Sequence, residues 1–167
     1  MKKLLSLRKL LKISKNLKRG KKKIVFTNGV YDILTVAHVR YLQKARKQGD
    51  ILIVGLNSDA STRKLKGKER PIIPEQQRAE ILAQLPYVDY IYIFSNITPL
   101  KVLEAVKPDV YVKGGDYKKK RTDKSGCREY VRNYGGKVFL TPLIRGISTT
   151  KIIKRILNLY EKKIKHE

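Results

Sequence analysis

Residues Lys23–Leu56 read KIVFTNGVYDILTVAHVRYLQKARKQGDILIVGL, and they hold one complete structural unit. Lys23-Ile24-Val25-Phe26-Thr27 is a short apolar strand, followed by a glycine-containing loop. Val39, Leu42 and Ala45 then recur at helical spacing, and the helix stops near Gly49. Asp50-Ile51-Leu52-Ile53-Val54-Gly55-Leu56 is apolar almost throughout, without alternation. A strand apolar on both faces is buried on both, which is the condition of a parallel sheet sandwiched between helices.

Outward from this unit the alternation continues. A basic, glycine-containing loop is expected over 61–74, and a helix from Glu75 to Leu85 just after Pro74. Asp89–Phe94 reads as a strand, Pro99–Val106 as a helix and Asp109–Val112 as a strand. Arg128–Tyr134 reads as a helix stopped by Gly135-Gly136, then Lys137–Thr141 as a strand. A last helix starts at Ser148 and runs to about Lys162. The fold class is α/β: a Rossmann-like, doubly wound parallel sheet of about five strands with helices on both faces. Ahead of it, Leu4, Leu7, Leu10, Leu11 and Leu17 mark an amphipathic helix ending near Gly20. The organisation expected is a basic N-terminal helix packed on the domain over 1–22, the main domain over 23–162 and a tail over 163–167.

Composition removes several function classes. The chain has 167 residues, enough for one domain with a real core. Its single cysteine, Cys127, excludes a disulfide framework, and its two histidines exclude a histidine-rich metal centre. No apolar run is long enough to span a bilayer, and lysines interrupt the first apolar stretch, so a cytoplasmic protein without membrane insertion is expected. Lys plus Arg number 39 against 14 Asp plus Glu, a net charge of +25. Residues 1–23 hold 11 basic residues and no acidic one. Such a field attracts polyanions, RNA among them, although solubility alone also accounts for charge.

In a parallel sheet, ligands bind beyond the carboxyl ends of the strands. The first strand ends in Thr27-Asn28-Gly29-Val30-Tyr31-Asp32, and Thr35-Val36-Ala37-His38 opens the next helix. Gly29 allows close backbone approach, the helix N-terminus offers free N–H groups to phosphate, and Thr35 and His38 add donors. Lys113-Gly114-Gly115-Asp116-Tyr117 follows another strand, where the lysine and glycines can cradle an anion and Asp116 can accept from sugar hydroxyls. Arg63, Lys64, Lys66, Lys68 and Arg70 lie in the basic loop. Ser148 and Thr149 can cap the last helix, and the same geometry makes a phosphate site. There is no GxxxxGK[ST] loop and no Ser–His–Asp or Cys–His set, which leaves chemistry by positioning and charge neutralisation.

Taken in order, these clusters resemble the cytidylyltransferase-like nucleotidyltransferases, with the heptose 1-phosphate adenylyltransferase branch nearest. The residues that carry the resemblance are Phe26-Thr27-Asn28-Gly29, Tyr31-Asp32-Ile33-Leu34, Val39-Arg40-Tyr41-Leu42, Asn57-Ser58-Asp59, Leu65-Lys66-Gly67, Arg70-Pro71-Ile72, Gln77-Arg78, Val112–Tyr117 and Gly146–Thr150. The resemblance implies transfer of a nucleoside monophosphate from ATP, or CTP, to a sugar phosphate, with release of pyrophosphate and with Mg²⁺ held mainly by the nucleotide phosphates. It implies catalytic roles for His38, Thr35 and Lys66. It implies nucleotide binding by Thr27, Asn28, Gly29, Tyr31, Asp32, Lys64, Arg78, Ser148 and Thr149, and acceptor binding by Lys113, Gly114, Gly115 and Asp116. A homodimer is common among such proteins. The chain departs from the family pattern at Thr35 and Ala37 in the HxGH-type motif and at Arg145, a position often acidic. These departures and the charge keep a second reading open, a catalytically weakened copy of the fold recruited as a basic RNA-binding or ribonucleoprotein subunit.

Overall fold

A computed structural model describes residues 2–114, 125–142 and 148–164, with side chains as far as Glu161. The elements run α1 (Leu7–Arg19), β1 (Ile24–Gly29), α2 (Val36–Arg46), β2 (Ile51–Asn57), α3 (Asp59–Lys66), α4 (Glu75–Gln84), β3 (Tyr90–Phe94), α5 (Leu100–Val106), β4 (Val110–Gly114), α6 (Cys127–Asn133), β5 (Lys137–Thr141) and α7 (Thr149–Ile164). The five strands form one sheet in the order β3-β2-β1-β4-β5, all neighbours parallel. The order reverses between β1 and β4, and such a switch point opens a crevice at the carboxyl ends of those two strands.

The strands divide their side chains between two cores. Val25, Leu52, Val54, Leu56, Val110 and Val112 face one side with Leu42 and Ala45 of α2 and Leu82 of α4. Ile24, Phe26, Ile53 and Tyr111 face the other with Leu10 of α1, Val102 and Leu103 of α5, and Val131 of α6. Alternate residues of one strand thus enter opposite cores, which is why the strand sequences are apolar runs.

The start of the chain is built into this body. Leu4 forms a parallel bridge to Ile91 of β3, and Leu5 and Leu10 are buried with α5. Ser6 caps α1 by accepting from the Lys9 N–H. At the opposite edge from the crevice, aspartates stitch the strand starts together. Asp50 accepts from Lys23 N–H, Asp109 from Ile24 N–H and Asp89 from Leu52 N–H, each at 2.7 Å.

The stretch 61–74 differs from the loop expected of it. Its first part is helix α3, capped by Ser58, whose Oγ accepts from Ser61 N–H at 3.2 Å. The helix buries Ser61 and Thr62 rather than apolar residues, so hydrophobic spacing carries no trace of it.

Candidate active site

The switch-point crevice is lined by backbone before it is lined by side chains. β1 runs out at Gly29, and the chain turns through Tyr31 in the left-handed region, φ 49°, before α2 begins. A Cβ at Gly29 would stand 2.9 Å from the Tyr31 ring. A side chain at Gly29 would therefore crowd the tyrosine folded over it. The Tyr31 ring meets the His38 imidazole edge-on, with centroids 5.6 Å apart.

His38 sits in the first turn of α2, half-buried, with its Nδ1 accepting from the Thr35 backbone N–H at 3.1 Å. The Thr35 hydroxyl lies 3.1 Å from the same nitrogen. An N–H donor requires a bare Nδ1, so the neutral ring carries its proton on Nε2. Burial lowers the imidazole pKa from 6.5, which favours that neutral form. The turn thus holds a ring that presents an N–H donor beside the free N–H groups of α2.

Two more elements reach this place. Thr149, at the start of α7, donates from Oγ1 to Ile33 O at 3.4 Å, which ties the last helix to the β1–α2 loop. Ser148 caps α7 by accepting from Lys151 N–H at 3.2 Å. Across the switch point, Lys113 on β4 donates from Nζ to Asn28 Oδ1 at 3.1 Å and lies over the Tyr111 ring. Asn28 Oδ1 also accepts from the Tyr111 hydroxyl at 2.9 Å. The structure therefore brings together Asn28, Gly29, Thr35, His38, Lys113, Gly114, Ser148 and Thr149. Lys64 and Lys66 stand exposed on the last turn of α3, which leaves the carboxyl end of β2 beside β1. Gly115, Asp116, Arg145 and Gly146 lie outside the described residues.

Three residues expected to contact the nucleotide spend their polar atoms within the protein. Arg78, expected to hold phosphate, has a fully buried side chain. Its guanidinium donates to Ile73 O, Val30 O, Asn57 O and the Asp59 carboxylate. Asp32 is buried, and both its oxygens are taken, by Arg70 Nε and by the N–H groups of Ile72 and Ile73. Burial alone would raise its pKa, but these donors outweigh it and hold the carboxyl below its ordinary value. Thr27 is buried inside the sheet, with its Oγ1 2.6 Å from the Tyr41 hydroxyl and 3.0 Å from Val112 O. The basic stretch is corrected as well: Arg63, Lys64 and Lys66 belong to a helix, and Arg70 is anchored to Asp32.

Sequence reading gave no role to Tyr41 or Thr141. Tyr41 donates to Val112 O at 3.0 Å and so joins α2 to β4 across the switch point. Thr141 ends β5 and donates to Lys113 O at 3.4 Å. Thr141 stands at a strand end, which is the signal that points to it, whereas Tyr41 lies within α2 and only the fold brings its hydroxyl to a strand.

Residues 26–155 match the family described as cytidylyltransferase-like. The chain is 51% identical over 156 residues to the bifunctional protein HldE of Syntrophotalea carbinolica, covering 93% of this chain and 31% of that protein. It is 54% identical over 142 residues to the bifunctional protein HldE of Geobacter metallireducens, covering 85% of this chain and 28% of that one. It spans about three tenths of the length of these curated relatives. Among solved structures it is similar to a lipopolysaccharide core biosynthesis protein from Thermoplasma volcanium, 29% identical, with a TM-score of 0.59 over 74% of this chain and 97% of that one. The pantoate-beta-alanine ligase of Francisella tularensis, 20% identical, shares the fold, with a TM-score of 0.65 over 85% of this chain and 67% of that one. The sheet order, the junction at its switch point and these matches lead to one conclusion: the chain belongs to the cytidylyltransferase-like family.

Proposed function

We propose that the chain is a nucleotidyltransferase that moves a nucleoside monophosphate, AMP from ATP by preference, onto a sugar phosphate such as heptose 1-phosphate. The observation that carries this reading is the His38 turn, where the Thr35 N–H fixes the imidazole, with its remaining proton on Nε2, at a helix N-terminus. Two helix starts, α2 and α7, meet there, and Lys113 stands across the crevice. In the reaction, an acceptor phosphate oxygen attacks the α-phosphorus, a new P–O bond forms, and the bond to pyrophosphate breaks. No covalent enzyme intermediate is needed. The step builds negative charge on the transferring and leaving phosphates, and fixed N–H donors and ammonium groups lower its energy.

His38 donates from Nε2, Thr35 sets the ring, and Lys66 and Lys64 are placed on α3 to meet the triphosphate tail. Ser148 and Thr149 supply the second helix start. Lys113 and Gly114 face the acceptor side, and Gly115 and Asp116 continue that segment. Thr27, Asp32 and Arg78 hold the frame and do not touch the nucleotide. Mg²⁺ would travel on the nucleotide phosphates and neutralise the leaving pyrophosphate. This suits a site beside which the Asp32 carboxylate is already saturated by Arg70 and two backbone N–H groups.

The relatives named bifunctional are matched over about three tenths of their length, which supports assigning this chain one activity of such a pair. The other would then have to supply the sugar 1-phosphate, a kinase-type reaction. The test is pyrophosphate release with Mg²⁺, with ATP and CTP each offered heptose 1-phosphate and glycerol 3-phosphate. Release with ATP and heptose 1-phosphate is expected. Release only with CTP and glycerol 3-phosphate would reassign both substrates, and silence with all four pairs would count against the enzyme.

A further inference from the structure

A second basic feature lies at the other edge of the sheet, away from the His38 turn. A cleft of about 690 Å³ opens where β1, β4 and β5 begin, lined by Lys18, Lys21, Lys22, Lys23, Lys107 and Lys137. Among the described ion pairs none involves these lysines. The bland account is that they neutralise helix ends, since α1, α5 and α6 all finish there. Magnitudes decide against it. Each helix C-terminus carries roughly half a negative charge. Three of them with Asp109 offset less than half of six lysines.

The backbone argues the same way. Lys22 N–H bonds to Leu17 O at 2.9 Å and Lys21 N–H to Lys18 O at 3.0 Å, which is a Schellman ending of α1. Its left-handed residue is Lys21, φ 55°, while Gly20 stands one residue too early. Lys107 ends α5 in the same region, φ 45°, with its N–H on Leu103 O at 2.7 Å. Glycine is the residue that folding favours at both positions. Both carry a lysine, and both lysines line the cleft.

The lining also tells what kind of anion fits. Asp109 is taken by the Ile24 N–H, and the Tyr134 hydroxyl donates to Pro108 O at 2.7 Å. What remains is charge without side chains placed to read a base or a sugar. The charge does not stop at the cleft. Arg8, Lys12, Lys15 and Arg19 recur at i, i+4, i+7 and i+11 on α1, all exposed, and so share one face. That stripe runs about 16 Å down the helix to the cleft at its end.

We infer that this cleft and the α1 stripe bind a nucleic-acid phosphate backbone without sequence preference, at a site separate from the nucleotidyl-transfer junction. A basic groove that tracks a backbone supplies the electrostatic, sequence-independent part of such binding. A small phosphorylated metabolite would call for the cleft alone, whereas an extended polyanion uses both features. The inference is independent of the enzymatic reading.

The test is fluorescence anisotropy with a mixed-sequence 20-nucleotide RNA and the whole chain freed of nucleic acid, over a range of salt. With four to six phosphates engaged, log K should fall against log salt with a slope of about −3 to −4. Lys21→Gly with Lys107→Gly removes two charges while placing glycine where the backbone favours it. This variant should keep or raise Tm, weaken RNA binding at least tenfold and make the slope shallower by about 1.4. Should it lose stability, the exposed pair Lys22→Gln with Lys137→Gln carries the same test. RNA binding unchanged in a folded variant would overturn the inference. So would tripolyphosphate displacing RNA at equal phosphate concentration, which would mark a small-anion site, or preferential capture by phosphatidylglycerol vesicles, which would mark a membrane surface.

Discussion

Arg78 shows how far a motif can mislead about direction. Its guanidinium is spent on three carbonyls and Asp59, so its chemistry is internal. Arg78→Ala would leave three carbonyls and the partly buried Asp59 without their donor and a cavity where the guanidinium was buried, a loss of about 3 kcal/mol. Urea denaturation should show this as a lower midpoint, whereas a phosphate-binding arginine would leave stability near wild type. Titration at His38 gives a second prediction. Its folded pKa lies below 6.5, so between the two values the unfolded chain binds more protons. The contribution is therefore complete above pH 6.5 and is lost as pH falls through the folded value. Asp32, also depressed, adds a loss at lower pH, beginning below its unfolded value of 3.8. NMR titration of the His38 ring should give a midpoint under 6.5, and a midpoint above it would mean that the ring is not desolvated as its burial requires.

The elements were legible where burial repeats and illegible where it does not. β1 and β2 are apolar runs because each strand feeds two cores, and that is visible in a string of letters. Helix α3 hides because it buries Ser61 and Thr62, with Leu65 exposed. What holds it is a polar lock. Asn57 Nδ2 donates to Ser61 Oγ at 2.8 Å, Ser61 Oγ to Asn96 O at 2.9 Å, and Asp59 N–H to the Glu75 carboxylate at 2.6 Å. The stretches Asn57-Ser58-Asp59 and Gln77-Arg78, read separately as site motifs, are two halves of this lock. Ser58→Ala removes the α3 cap and should cost about 1 kcal/mol in denaturant. Lys64→Gln with Lys66→Gln should leave stability within about 0.5 kcal/mol, because both side chains are exposed. The same pair should lower kcat/KM for the nucleotide. A stability loss in the double lysine variant would place those side chains in packing instead.

At the scale of the whole molecule, the His38 turn and the lysine cleft are laid out on opposite edges of one sheet. The carboxyl edge gathers two helix starts and the His38 turn, and the amino edge gathers aspartate stitches and lysines. The alternation of elements made the sheet readable, but nothing in the letters says which end of a strand a lysine occupies once chain turns intervene. The basic first helix is part of the body: Leu10 is fully buried against α5 and β1. Leu10→Ala should cost about 2–5 kcal/mol, read by urea denaturation, and a loss under 1 kcal/mol would show α1 to be dispensable. The central claim is that the His38 turn at the carboxyl edge stabilises a transferring phosphate. Its most direct test is kcat for pyrophosphate release by His38→Ala at saturating nucleotide and acceptor, beside a thermal melt of the same variant. The account predicts a fall of at least a hundredfold, about 2.7 kcal/mol of transition-state stabilisation, with Tm within a few degrees of wild type. Unchanged kcat in a folded variant would contradict it.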